Sequence, residues 1–168
     1  KPIIAVFGGS LGSERINKVV SEYLGSQKYP IQIAHAVGMH NTLPIARTGY
    51  FPTQYFHNIA RVYAAADIVI CRSGAVTCAE LAVVNRYAIL IPLPIGNGEQ
   101  RFNASHVIEQ GRGELIEQSL FSAAWLASNL NRLLSQADGS PIAGSGSDLQ
   151  ATEKIVNFME HAHKARVS

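Results

Sequence analysis

Only two cysteines, Cys71 and Cys78, occur in the 168 residues, and that number cannot build a disulfide framework. Both are expected to be buried free thiols of a reducing compartment. No apolar run approaches the twenty or so residues of a membrane span, and no signal peptide opens the chain. Charge is scarce: 15% of residues are charged, the formal net charge is +2, and the basic residues are scattered. No Lys/Arg run interleaves with aromatics, which speaks against a nucleic-acid partner. The six histidines are also scattered, so no metal-ligand cluster is expected. The basic tail from His161 to Arg166 reads as a terminus rather than a site. The chain begins at Lys1 and enters a strand at once, so a preceding segment is expected.

Hydrophobic residues are plentiful at 47%, enough for one domain with a real core over 1–168. "PIIAVF" at 2–7 is a short apolar run ending in glycines, the pattern of a strand buried on both faces. Ile16, Val19, Val20 and Tyr23 then recur at i, i+3, i+4 and i+7, one helix face, with Gly25 as a C-cap. Further strands are predicted at 31–37, 43–46, 67–71, 88–94 and 113–116. Helices are predicted at 58–66, 75–84, 100–110, 122–135 and 149–163, with a polar Gly/Ser/Pro loop from 135 to 148. Strands alternating with helices at this spacing give an α/β class, a Rossmann-like parallel sheet flanked by helices. Such sheets bind ligands beyond the carboxyl ends of their strands.

Three strand ends carry unusual loops. The first is Gly8-Gly9-Ser10-Leu11-Gly12-Ser13. Glycines let a backbone approach a ligand, and the following helix start offers free N–H groups, which suits a diphosphate. The spacing is neither G-x-G-x-x-G nor a P-loop, because no lysine follows, and no acid ends the second strand to bind an NAD ribose. A tight turn with Ser13 as N-cap fits the same residues. The second loop is Arg72-Ser73-Gly74-Ala75-Val76-Thr77, with Glu80 one turn on. Glu80 can accept two hydrogen bonds from a ribose diol, and Thr77 can bond a phosphate or sugar. Thr77-x-x-Glu80 is equally a capping box, and Arg72 equally a partner for a nearby carboxylate. The third loop, Ile95 to Asn103, brings Glu99, Gln100 and Asn103 to a helix start, where they can read sugar hydroxyls or cap the helix. Each loop is a weak signal alone. Together they would line one crevice with a phosphate cradle, a diol acceptor and hydroxyl readers, the chemistry of a nucleotide-sugar site.

"GGSLGSERIN", "YAAADIVICRSGAVTCAELA" and "PLPIGNGEQRFNA" together resemble the C-terminal domain of the MurG family of bacterial N-acetylglucosaminyltransferases, in an actinobacterial form. The resemblance covers nearly the whole chain. It implies the C-terminal half of a GT-B fold and the binding of UDP-N-acetylglucosamine. It implies inverting transfer to lipid I, forming lipid II for peptidoglycan, at the cytoplasmic face of the plasma membrane. By the same resemblance, Gly9, Ser10 and Gly12 face the diphosphate. Ala75, Val76 and Thr77 meet the phosphates and donor sugar, Glu80 the ribose, and Glu99 and Gln100 the sugar hydroxyls. Phe56 pairs with uracil through its backbone, with Tyr55 and Ile59 beside it. No cofactor is implied. The general base, the lipid I site and most membrane contact would belong to an N-terminal domain with no match here, so this chain alone would bind donor without turnover. The sequence departs from the family's usual residues at His57, Asn58, Ile59, Asn85, Arg86, Tyr87 and Glu99. Another UDP-sugar-using GT-B enzyme, the donor-binding subunit of a two-chain transferase, and a non-catalytic Rossmann-like binding protein are the alternatives.

Overall fold

In a computed structural model of the chain, residues 1–26, 31–84 and 86–139 are described. The predicted helix at 149–163 and the basic tail lie outside them. The elements run β1 (Ile3–Phe7), α1 (Glu14–Ser26), β2 (Gln32–Ala36), β3 (Tyr50–Thr53), α2 (Ile59–Ala65) and β4 (Ile68–Cys71). They continue through α3 (Ala75–Val84), β5 (Tyr87–Leu90), α4 (Glu99–Glu109), β6 (Gly113–Leu115) and α5 (Ala123–Asp138). The strands form one six-stranded sheet in the order β3-β2-β1-β4-β5-β6, and every strand pair is parallel. The chain builds outward from β1 through β2 and β3, then returns through α2 to lay β4 on the other side of β1. This reversal opens a crevice at the carboxyl ends of β1 and β4, where Phe7 and Cys71 are in register.

Both faces of the sheet are covered, which is why its strands read as unbroken apolar runs. In β1, Ile4 and Val6 face one core with Ile16, Val19, Val20 and Tyr23 of α1 and Leu126, Leu130 and Leu133 of α5. Ala5 and Phe7 face the other, with Tyr63, Cys78, Leu81, Ala104 and Val107 from α2, α3 and α4. Each fully buried Ile or Leu contributes about 1.5–3 kcal/mol to this packing. Cys71 and Cys78 are free and buried, and burial pushes the Cys71 thiol far up and the Cys78 thiol up to about 11. Among the described residues, no helix is long and apolar enough to cross a membrane.

Three local expectations are corrected. The third strand is Tyr50–Thr53, not 43–46, where the chain is irregular. An edge strand tolerates Pro52, whereas the apolar "LPIA" segment simply spans the β2–β3 connection. Gly25 lies inside α1, which continues to Ser26. Residues 135–138, expected to begin the polar loop, belong to α5, and 140–148 lie outside the described residues. Arg112, between α4 and β6, is buried at 1% exposure.

Candidate functional site

After β1 the backbone turns sharply, with Gly9 at φ 90° and Gly12 at φ 79°, and the Gly12 amide donates to the Gly9 carbonyl at 3.0 Å. Gly12 passes so close to the β2–β3 connection that a Cβ there would lie 2.0 Å from the Val37 carbonyl oxygen. The connection buttresses the turn: Met39 N–H donates to Ser10 O at 3.0 Å, and the Asn41 amide donates to Leu11 O and Val37 O, each at 2.9 Å. Ser13 caps α1 by accepting from Ile16 N–H at 3.4 Å. The capping reading of this loop therefore holds, while its outer side lines a cleft.

Arg72 leaves the end of β4 and pairs with no carboxylate among the described residues. It donates from Nη1 to Ile91 O and Pro92 O, both at 3.1 Å, and from Nη2 to Ser13 Oγ at 2.8 Å and to Gln118 Oε1. Its partial burial lowers the guanidinium pKa below its usual value. Ser73 is fully buried, and its hydroxyl has no partner among the described residues. The Gly74 carbonyl accepts from Cys78 N–H at 3.0 Å, so α3 starts at Ala75 and Thr77 is already inside it. The Thr77-x-x-Glu80 capping box is therefore not formed. The Glu80 carboxylate instead accepts the Tyr63 hydroxyl at 2.8 Å. Burial, and then this bond, push the Tyr63 pKa well up, so the phenol stays a donor.

The third loop also differs from a capped helix start. Gly98, in the left-handed region at φ 80°, is the N-cap of α4 and offers no side chain. Glu99 Oε2 accepts from Asn97 N–H at 3.2 Å, and Gln100 Oε1 accepts from Leu93 N–H at 3.0 Å. The Asn103 amide turns away and donates to Ser73 O at 3.2 Å, in a groove between α3 and α4.

Two clefts open where these loops meet. The larger, 580 Å³, is lined by the Gly8–Ser13 turn, Glu14, Arg15, Arg72, Gly74, Thr77, Leu93, Gln100 and Gln118. The smaller, 190 Å³, is lined by Phe7, Ala36, Tyr55, Phe56, Ile59, Val76 and Glu80. Gly9, Ser10 and Thr77 belong to both. The first carries two guanidiniums, Arg15 and Arg72, two side-chain amides, the start of α1 and one carboxylate, Glu14. The second is a slot with apolar walls, Phe56 meeting Phe7 edge-on at 6.2 Å, and a carboxylate at one side. Of the residues read from sequence, Ser73, Ala75, Glu99 and Asn103 line neither cleft. Arg15, Leu93, Gln118, Phe7 and Ala36 line one and were not singled out. Arg15 had a signal, its place in the first turn after the glycine loop, but Gln118 had none. A separate 430 Å³ cavity lies under the β2–β3 connection, floored by His35. Among the described residues, no three His, Cys, Asp or Glu side chains converge as metal ligands.

Residues 3–157 match the Glycosyltransferase family 28 C-terminal domain. The chain belongs to this family. A Frankia casuarinae UDP-N-acetylglucosamine--N-acetylmuramyl-(pentapeptide) pyrophosphoryl-undecaprenol N-acetylglucosamine transferase is 38% identical to it over 183 residues. That match spans 99% of this chain and 47% of the relative. A Streptomyces coelicolor protein of the same name is 42% identical over 135 residues, 77% of this chain and 37% of the relative. The crystal structure of Acinetobacter baumannii MurG superposes with a TM-score of 0.74 at 24% identity, covering 96% of this chain and 50% of that one. The kitacinnamycin glycotransferase superposes at 0.71 with 16% identity, covering 96% and 43%. This family 28 domain thus spans half or less of the length of these relatives, and its fold is that of the C-terminal half of a GT-B glycosyltransferase.

Proposed function

We propose that this chain is a single domain, the donor-binding half of a transferase that moves N-acetylglucosamine from UDP to lipid I, the undecaprenyl-linked acceptor of the reaction its relatives are named for. The observation that carries the reading is the shared wall of Gly9, Ser10 and Thr77 between an apolar slot and a donor-rich cleft. A flat uracil suits the slot, where the Phe56 backbone and the Tyr55 and Ile59 side chains are at hand. Glu80, held by Tyr63, accepts the ribose hydroxyls at its side. The diphosphate then reaches the Gly9–Ser13 turn, and Thr77 and Gln100 meet the phosphates and sugar.

Transfer with inversion leaves negative charge on UDP. Backbone N–H groups at the starts of α1 and α3, with the positive helix ends behind them, stabilise that charge without reorganising. Arg15 adds a cation at the same wall. The base that takes the acceptor proton, the lipid I site and the contact with the inner membrane face belong, on this reading, to the part of the relatives that the chain does not span.

Calorimetric titration with UDP-N-acetylglucosamine, against UDP-glucose and NAD, tests the proposal. Selective binding of the first, with no transfer to a lipid I analogue by this chain alone, is expected. Indifference among the three ligands would sink the donor assignment, and turnover would sink the division of labour.

A further inference from the structure

Gln118 follows β6 in a stretch without a motif, yet its side chain reaches the larger cleft. Its neighbour decides which way its amide faces. A guanidinium only donates, so the atom that meets Arg72 Nη2 must be Oε1. The Gln118 NH2 group is therefore turned from Arg72, and nothing among the described residues accepts its two N–H bonds. Gln100 is fixed in the same manner, with Oε1 held by Leu93 N–H at 3.0 Å and its NH2 left over in the same cleft. Arg72 is in the opposite condition. Its two terminal nitrogens carry four N–H bonds, and four acceptors take them: Ile91 O, Pro92 O, Ser13 Oγ and Gln118 Oε1. A ligand oxygen could gain a terminal N–H of Arg72 only by breaking one of these.

We propose that Gln118 binds ligand in this cleft, donating its side-chain amide to the diphosphate oxygens of the nucleotide sugar, and that Arg72 is its positioning residue. The inference rests on the donor-binding reading above. It assigns the diphosphate rather than the base because Gln118 shares its cleft with Arg15 and the glycine turn, while the aromatic slot lies beyond Thr77.

Gln118→Glu is the discriminating substitution. It keeps an oxygen for Arg72 and removes the amide donor. Calorimetric titration of the 168-residue chain with UDP-N-acetylglucosamine, UDP and uridine, with thermal unfolding alongside, reads the result. The expected outcome is an undiminished melting temperature, a loss of about ten- to a hundredfold in affinity for both UDP ligands, and no change for uridine. Gln118→Met, neutral and of similar length, shows a loss as well, which separates the missing bond from added charge. Arg72→Lys weakens UDP but not uridine. Normal UDP binding by either Gln118 variant overturns the proposal, and so does a loss confined to the sugar nucleotide or one that includes uridine. In the unsubstituted chain, the Gln118 side-chain amide resonances shift with UDP and not with uridine. Their failure to shift overturns the proposal even if a variant does not fold. If the unsubstituted chain binds neither UDP ligand, the donor-binding reading falls and this inference with it. If it binds both and only the Gln118 results fail, the donor-binding reading stands.

Discussion

The Tyr63 hydroxyl donates to the Glu80 carboxylate at 2.8 Å, a bond that ties α2 to α3 beside the apolar slot. Tyr63→Phe keeps the ring, which packs edge-on against Phe7 at 6.2 Å, and removes only the bond. The variant should lose about 1–2 kcal/mol of stability and bind UDP several-fold more weakly, because Glu80 is no longer held. Glu80→Ala should cost about ten- to a hundredfold in UDP affinity, or about 1.5–3 kcal/mol. Calorimetry checks both, and unchanged UDP affinity in Glu80→Ala would leave the carboxylate a purely structural role.

Two glycines of one turn should respond differently to the same change. Alanine at Gly12 combines a φ of 79° with a Cβ 2.0 Å from Val37 O, so backbone strain and a clash add. Gly12→Ala should lose about 3 kcal/mol or more in urea unfolding. Gly9, at φ 90°, has nothing within 4 Å of its missing Cβ, because it faces the clefts. Gly9→Ala should lose only about 1–2 kcal/mol from strain while weakening UDP, since the methyl stands in the wall common to both clefts.

His35 should make stability depend on pH. Its Nε2 meets Asn17 Oδ1 and its Nδ1 meets the Tyr50 hydroxyl, both at 3.0 Å. The Asn17 amide is committed to Val37 O at 2.8 Å, so Asn17 Oδ1 accepts and the ring is neutral with its proton on Nε2. Burial lowers the pKa from 6.5 to about 4. Between these values the unfolded chain takes up a proton that the folded one refuses. Stability therefore falls as pH drops from 6.5 towards 4, by about 3 kcal/mol in all. Urea unfolding across that range should show a steeper pH slope for the parent than for His35→Gln.

Arg112 should prove a stability residue. Its Nη2 donates to Ala82 O at 2.9 Å and its Nη1 to Leu81 O at 3.4 Å, placing a cation on the last turn of α3. Arg112→Met should cost about 2–4 kcal/mol in urea unfolding with UDP affinity preserved, because it strands those carbonyls away from water and from the clefts.

The sheet and its helices were legible because burial on both faces writes each strand as a local apolar run. The glycine turn was legible because left-handed backbone calls for glycine. The strand at Tyr50–Thr53 was missed because an edge strand with a proline has a weaker pattern than the apolar connection before it. Arg72 carried a visible charge, but its side-chain partners lie 59 residues away at Ser13 and 46 away at Gln118, which no local pattern reports. Arg112 was hidden for the same reason, its backbone acceptors lying 30 and 31 residues back in α3. Glu80 was found, but its partner Tyr63, 17 residues earlier, was not.

On the proposed reading, the wall of Gly9, Ser10 and Thr77 makes neighbours of two fragment sites. A nucleoside in the slot and an anion in the larger cleft would each bind weakly as separate molecules. Joined by covalent bonds across that wall, each half meets its own cleft at the high effective concentration set by the tether to the other. The linked molecule can then bind some 10²–10⁴-fold more tightly than either fragment without any contact that the fragments lack.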